Sequence, residues 1–320
     1  MKIKNVKPIP LSSEYGDGKV FGQPLSKKSI ILVEIETYDG VKGLGETYSG
    51  VYVPELAIQV VTFFSNLLQD VDINNFTNLN TIRDIPYVGR SGLMLSVWSA
   101  IDIAIWDLRA KYEKKPLYKL LSENFSNEKS IYSSGGSVTF NSEQIQNDIN
   151  KCLKNGHNSF KMRVGYQNWE EDLKRVACAR ETLGSDKNLM IDSIMGSLRP
   201  CWSLNEAIIK IDELSKYNIY WIEEPLHPAN LTDHISLREK SKIKIASGEA
   251  LTGSLEYQAF ILSNAIDILQ LDVTHCGGIS SAIEILKLAN KKRIPIALHI
   301  WGSPISFAAN INLAMCNDII

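Results

Sequence analysis

The 320 residues carry 34 Lys+Arg against 36 Asp+Glu, a formal charge of −2 with no long run of one sign. That balance speaks against a nucleic-acid or membrane-surface partner and leaves a small molecule as the natural ligand. The length suits a (β/α)₈ barrel plus a smaller partner domain, and 44% hydrophobic residues suffice for a large core.

No apolar stretch approaches the roughly 20 residues of a membrane span. The start, Met1-Lys2-Ile3-Lys4-Asn5-Val6, reads as a first strand rather than a signal peptide, so the chain is expected to be soluble and cytoplasmic. Five scattered cysteines, Cys152, Cys178, Cys201, Cys276 and Cys316, form no C-x-x-C pair. They indicate neither a disulfide framework nor a zinc site.

Residues 30–38, IILVEIETY, alternate apolar and polar, Asp39-Gly40 makes a tight turn and VKGLGE returns, which predicts an antiparallel hairpin. Gly40, Gly43 and Gly45 do not form a phosphate loop, because no Gly-Lys-Ser/Thr or strand–turn–helix context follows. Over Pro54–Leu68 and again over 92–121 the apolar residues recur at three and four, as amphipathic helices require. Residues 1–125 are therefore expected to form an α+β unit.

After Ser130 short apolar strands alternate with helical stretches such as Trp169–Leu183 and 204–217. The strands are expected at 131–136, 159–164, 188–192, 220–224, 243–249, 268–273 and 294–300. Crossovers of a βαβ repeat are almost always right-handed, and a parallel barrel over 126–320 follows.

Most of these strands end in a polar residue for which a buried strand has no structural use: Lys161 with Arg163, Asp192, Glu223 with Glu224, Glu249, Asp272 and His299. They recur about once per βα unit, in phase with the fold, and barrel enzymes build their sites at the C-terminal ends of the strands. Singly, each has a plain alternative as a helix cap or a satisfied core residue. Together, three converging carboxylates repel one another unless a cation neutralises them. Asp192, Glu223 and Glu249 thus read as an all-oxygen site for one Mg²⁺ ion.

A carbon acid beside a carboxylate loses its proton only if the developing negative charge is stabilised, which a divalent ion on the carboxylate oxygens achieves. Lys161 and Arg163, two apart on one strand, face the same side and can hold the substrate carboxylate. Asp272 ends the strand before that of His299, so the pair reads as an acid/base unit.

These residues carry a resemblance. The segments SAIDIAIWDL (99–108), KMR (161–163), IDS (191–193), WIEEP (221–225), GEALTG (248–253), LDV (271–273) and HIWGS (299–303), in this order, resemble the mandelate racemase-like subgroup of the enolase superfamily. The resemblance implies an N-terminal α+β capping domain over a modified TIM-type (β/α) barrel. It also implies Mg²⁺ (Mn²⁺ as a substitute) on Asp192, Glu223 and Glu249, a dyad of His299 and Asp272, and homo-oligomeric assembly. It selects Glu223 over Glu224, which spacing leaves open.

Three departures shape the expected reaction. The subgroup's K-x-K strand is here Lys161-Met162-Arg163, and arginine is a poor proton acceptor. Racemisation needs a base on each face of the carbon, whereas dehydration can use His299 twice. The expected reaction is therefore dehydration of a hydroxy or sugar acid to a 2-keto acid, with a racemase or epimerase as the alternative. Lys161 remains as carboxylate clamp, or as a base if Arg163 lowers its pKa.

Next, the subgroup's Asp-x-Asn is Asp192-Ser193-Ile194, which points to a less polar substrate unless Ile194 merely packs in the loop. Last, relatives continue through an eighth strand with a further acidic residue, whereas this sequence stops at Ile320 as that strand begins. A truncated eighth strand is expected, and with it a third reading as an inactive pseudoenzyme. The resemblance also assigns specificity to loops at 12–22, with Tyr15, Asp17 and Lys19, and at 48–53. Gly16, Gly18 and Gly22 suit a mobile lid. His227, His234 and His275 are expected to face solvent.

Overall fold

A computed structural model describes residues 1–15 and 27–320. Strands β1 (Ile3–Glu14), β2 (Lys27–Thr37) and β3 (Lys42–Thr47) form an antiparallel sheet in that order. Gly40 closes the β2–β3 turn with φ +78°, a conformation that only glycine adopts without penalty. Helices α1 (Pro54–Leu68), α2 (Phe76–Arg83) and α3 (Gly92–Glu113) follow. The second helical stretch splits at Lys114, which is left-handed (φ 52°). Pro116 forbids a continuous helix, so α4 (Leu117–Leu121) starts afresh.

Alternation on β2 buries Ile31, Val33 and Ile35 completely, and these residues join α1 and α3 in one apolar core. Gly43 and Gly45 lie on the same face of β3, and a Cβ at either would run into the backbone carbonyl of Ala104 or Ala100 on α3. The glycines of this hairpin thus serve close packing of sheet on helix.

The remainder alternates: β4 (Ser133–Ser134), α5 (Ser142–Lys154), β5 (Ser159–Arg163), α6 (Trp169–Leu183), β6 (Asn188–Asp192), α7 (Leu204–Leu214), β7 (Ile219–Glu223), α8 (Leu231–Lys240), β8 (Lys244–Ser247), α9 (Gly253–Leu262), β9 (Ile268–Leu269), α10 (Gly278–Lys292) and α11 (Pro304–Met315). The six strands are parallel and ordered β4-β5-β6-β7-β8-β9. The segment expected as a seventh strand lies along β9: the N–H groups of Ala297 and His299 donate to Leu269 O and Leu271 O, both at 3.0 Å. Beyond it, Ile296 N donates to Ile319 O at 2.8 Å.

This is an α/β barrel of the modified TIM type with an N-terminal α+β cap. Leu117 and Leu121 of α4 pack on the barrel core, not on that of the sheet. All five cysteines are free, and among the described residues no helix is long and apolar enough to cross a membrane.

Two buried acids tie the cap to the barrel. Asp102 on α3 accepts from Ser280 N at 2.9 Å and Ser280 Oγ at 2.6 Å, at the start of α10. Glu46 on β3 accepts from Ser303 N (3.0 and 3.1 Å), Ser303 Oγ (2.5 Å) and Ser306 N (3.1 Å), at the start of α11. Each satisfies N–H groups that a helix leaves unpaired at its start and sits at the positive end of its dipole.

Candidate active site

Inside the barrel, side chains stack in layers because alternate residues of each strand point inward. Met190, Trp221, Ala246 and Ile268, with Tyr132 and Ala297 against them, form an apolar floor. Two residues further along the same strands come Asp192, Glu223, Gly248, Gln270 and His299, and from β5 Lys161 and Arg163. Strand register sets Arg163 beside Asp192 and Asp192 beside Glu223. Lys161 and Arg163 thus lie with Asp192 and Glu223, and His299 lies with Asp272 and Glu249.

Lys161 is buried, with Nζ 2.5 Å from Glu223 Oε1 and 3.9 Å from Asp192 Oδ2. Trp221 Nε1 donates to the other Glu223 oxygen at 3.3 Å, and Tyr132 lies under the ammonium at 5.5 Å. Arg163 Nε is 3.6 Å from Asp192 Oδ2, and its NH1 donates to Gly135 O at 3.2 Å. Burial disfavours the Lys161 ammonium, but Glu223, Tyr132, Asp192 and Glu249 outweigh it and raise its pKa. The carboxylates around it thus favour the cationic form of Lys161.

On the other side, His299 Nδ1 is 2.9 Å from Asp272 Oδ2, and its Nε2 is 3.6 Å from Glu249 Oε2. Asp272 is fully buried and accepts from Thr274 N (2.8 Å) and Thr274 Oγ1 (2.7 Å). Burial raises its pKa, but the His299 and Thr274 bonds more than compensate, so it stays a carboxylate below its ordinary range. Burial, and to a lesser extent Lys161, lower the His299 pKa, and the attraction of Glu249 and Asp272 carries it up to about 9. This arrangement can fix the imidazole's tautomer and stabilise its protonated form.

The remaining carboxylates crowd one another. Burial, then repulsion from Glu223, pushes Asp192 up to about 6. Burial, aided by repulsion from Glu223 and Asp192 and opposed by His299 and Lys161, pushes Glu249 up to about 7. Burial raises Glu223, but Lys161, Gln270 and His299 together bring it below its ordinary value. Glu224, with φ +43° and one oxygen without a partner, is raised well above its ordinary value by burial and then by Glu249.

Among the described residues no three acids, histidines or cysteines are gathered as a ready-made metal cage, and the Lys161 ammonium stands against two of the carboxylates. The chemistry of the donor set nonetheless fits a hard divalent cation: carboxylate oxygens only, buried at Asp192 and Glu223 and partly so at Glu249, in mutual repulsion.

The cap closes over His299 with rings. Tyr48 stands edge-on to His299 at 5.5 Å and 6.1 Å from Trp301, and Tyr52 is 5.8 Å from Tyr48. Tyr15 packs on Trp301 at 6.1 Å and accepts from its Nε1 at 3.4 Å. Asp17, Lys19, Gly16, Gly18 and Gly22 lie outside the described residues. Ile194 is buried against Val138, Met195 and Leu198, which settles its role as packing.

His234, expected at the surface, lies within α8 at 0% exposure, whereas His275 is half-buried, bonded to Ser96 Oγ at 2.8 Å beside Tyr48. The sequence reading also missed Tyr132, Trp221, Gln270 and Glu46. For the first three the signal was available, since they share inward parity with the charged residues.

Residues 144–318 match the enolase C-terminal domain-like family, and residues 20–122 match the N-terminal domain of the mandelate racemase / muconate lactonizing enzyme family. The chain belongs to the enolase superfamily, in its mandelate racemase-like branch.

Among its relatives, L-talarate/galactarate dehydratase of Salmonella typhimurium is 33% identical over 302 residues, 91% of this chain and 73% of that protein. D-galactarolactone cycloisomerase of Agrobacterium fabrum is 31% identical over 291 residues, covering 88% and 74%. A solved variant of L-talarate/galactarate dehydratase, liganded with Mg and L-glucarate, superposes with a TM-score of 0.84 at 31% identity, covering 96% of this chain and 79% of that one. Enolase-superfamily relatives with such names are lyases and isomerases, and the superfamily is one of enzymes that bind Mg²⁺.

Proposed function

We propose that this enzyme dehydrates a hydroxy or sugar acid to a 2-keto acid, with His299 as its one proton carrier. The observation that carries the reading is the asymmetry of the site. His299, oriented by Asp272, is the only imidazole among the strand-end groups, while Lys161 and Arg163 opposite it are cations set against Glu223 and Asp192. Racemisation would need a second acceptor on that face. Relatives named as dehydratases support the same choice.

In this reading Asp192, Glu223 and Glu249 hold the divalent ion, Mg²⁺ or Mn²⁺ in its place. Bound there, it supplies the positive charge against which a substrate carboxylate gains electron density. Lys161 and Arg163 hold the carboxylate. Neutral His299 takes the α-proton onto Nε2 as the C–H bond breaks, and the electron pair moves toward the carboxylate. The protonated ring, stabilised by Asp272, then returns its proton to the β-hydroxyl as the C–O bond breaks and water leaves. Tautomerisation of the enol gives the 2-keto acid.

Glu249 is the largest force holding His299 protonated, so engaging its charge elsewhere frees the ring to act as base. Tyr15, Tyr48, Tyr52 and Trp301 wall the cavity against water. Residues 1–125 as cap and 126–320 as barrel, homo-oligomeric assembly and a cytoplasmic location belong to the same reading; size-exclusion chromatography and cell fractionation test the last two.

The test is a panel of sugar acids with Mg²⁺, read with semicarbazide for 2-keto acids. At least one acid is expected to give product. Deuterium appearing in both α-configurations without keto acid would favour the racemase instead, and neither signal would favour a pseudoenzyme.

A further inference from the structure

We propose that Lys28 binds a second anionic group at the far end of the substrate, so that the acid taken by this site is a dicarboxylate. The inference rests on the reading above, that a carboxylate at the near end is held by Lys161 and Arg163.

Strand β2 points Ile31, Val33 and Ile35 into the cap's own core. Lys28 has the opposite parity and shares the face of Leu32, whose cross-strand neighbour on β3 is Glu46. This face looks toward the loop that follows His299, as the Glu46 bonds to Ser303 and Ser306 demonstrate.

Lys28 Nζ lies 4.4 Å from the ring centre of Trp301 and 5.5 Å from that of Tyr15. Trp301 is two residues beyond His299, and Tyr48 bridges the two rings at 6.1 and 5.5 Å. One aromatic wall therefore runs from the proton carrier to the ammonium.

Among the described residues no carboxylate pairs with this ammonium. Among the described residues it makes no ion pair or hydrogen bond, only the two cation–π contacts. The carboxylate that acts on it, Glu46, is committed to the start of α11. Burial lowers the lysine's pKa against this attraction. A half-buried ammonium costs free energy unless an anion meets it, and a ring face leaves its three donors unsatisfied. A carboxylate on the substrate, past the aromatic wall, would satisfy them.

The test measures equilibrium binding by titration calorimetry with Mg²⁺ in a His299→Asn background, which removes the proton carrier. Galactarate and glucarate are compared with galactonate and gluconate. The diacids are expected to bind at least tenfold more tightly than their monoacids. Adding Lys28→Met should collapse that preference by tenfold or more, and Lys28→Arg should keep most of it.

Equal affinity for the two classes with Lys28 present would overturn the proposal, as would a preference unchanged in Lys28→Met. If Lys28→Met does not fold, Lys28→Gln gives the same comparison. A preference for diacids without any keto acid from the active protein counts against dehydration and not against Lys28. Dehydration without such a preference does the reverse.

Discussion

Two buried glutamates of this chain make opposite bargains with their surroundings. Glu46, 2% exposed, accepts three backbone or hydroxyl donors from the start of α11 and joins cap to barrel. Glu224, also 2% exposed, has an oxygen with no partner and a carboxyl pushed well above its ordinary pKa by burial and by Glu249. The first is a structural joint. The second belongs to a crowd of acids gathered at the strand ends at a cost to stability, as functional sites tolerate.

The same substitution should therefore have different consequences at the two places. Glu46→Gln places an amide against donors that now face only one acceptor oxygen, and should destabilise by about 2–3 kcal/mol in urea unfolding. Glu224→Gln replaces a carboxyl already disposed to be neutral, and should change stability by less than about 1 kcal/mol. Equal losses would erase the contrast.

Of similar size is the effect of Mg²⁺ on the crowded region. If Asp192, Glu223 and Glu249 take the ion, Mg²⁺ at about a hundred times its Kd should stabilise by about 2.7 kcal/mol, seen as a rise in Tm. Glu249→Gln should remove most of that rise, and Glu46→Gln should leave it in place. A rise that persists in Glu249→Gln would move the ion elsewhere.

The smallest effect concerns a buried group away from both. His234, fully buried against Phe260 with Nδ1 3.0 Å from Asn230 O, has its pKa lowered from 6.5, chiefly by burial. The folded chain binds this proton less readily than the unfolded one. Its contribution to stability is thus complete above about pH 6.5 and is lost as pH falls from there through the lowered folded value. Urea unfolding should weaken over that window, and His234→Phe should weaken less. The same slope in both proteins would assign the loss to other groups.

Much of this was legible in the sequence. Strand-end charges in phase with the βα repeat located Lys161, Arg163, Asp192, Glu223, Glu249, Asp272 and His299, because side-chain parity and barrel geometry leave such residues one place to go. What was not legible depended on distant contacts. Glu46 reads as an ordinary hairpin residue until α11, more than 250 residues later, supplies its donors. Lys28 reads as a surface lysine until Trp301 comes beneath it. His234 sits in a polar stretch of α8, and only Phe260 of α9 reveals it as core.

In the proposed function one imidazole, on one face of the substrate, carries the proton. It is tested most directly by following the α-hydrogen of a turned-over sugar acid by NMR in D₂O with Mg²⁺, in the wild type and in His299→Asn. The α-hydrogen is expected to be lost in the wild type, with the rate falling roughly 10²–10⁴-fold in His299→Asn and Lys161→Met weakening substrate binding besides. Exchange that continues undiminished in His299→Asn would contradict it and hand the proton to the Lys161 side of the site.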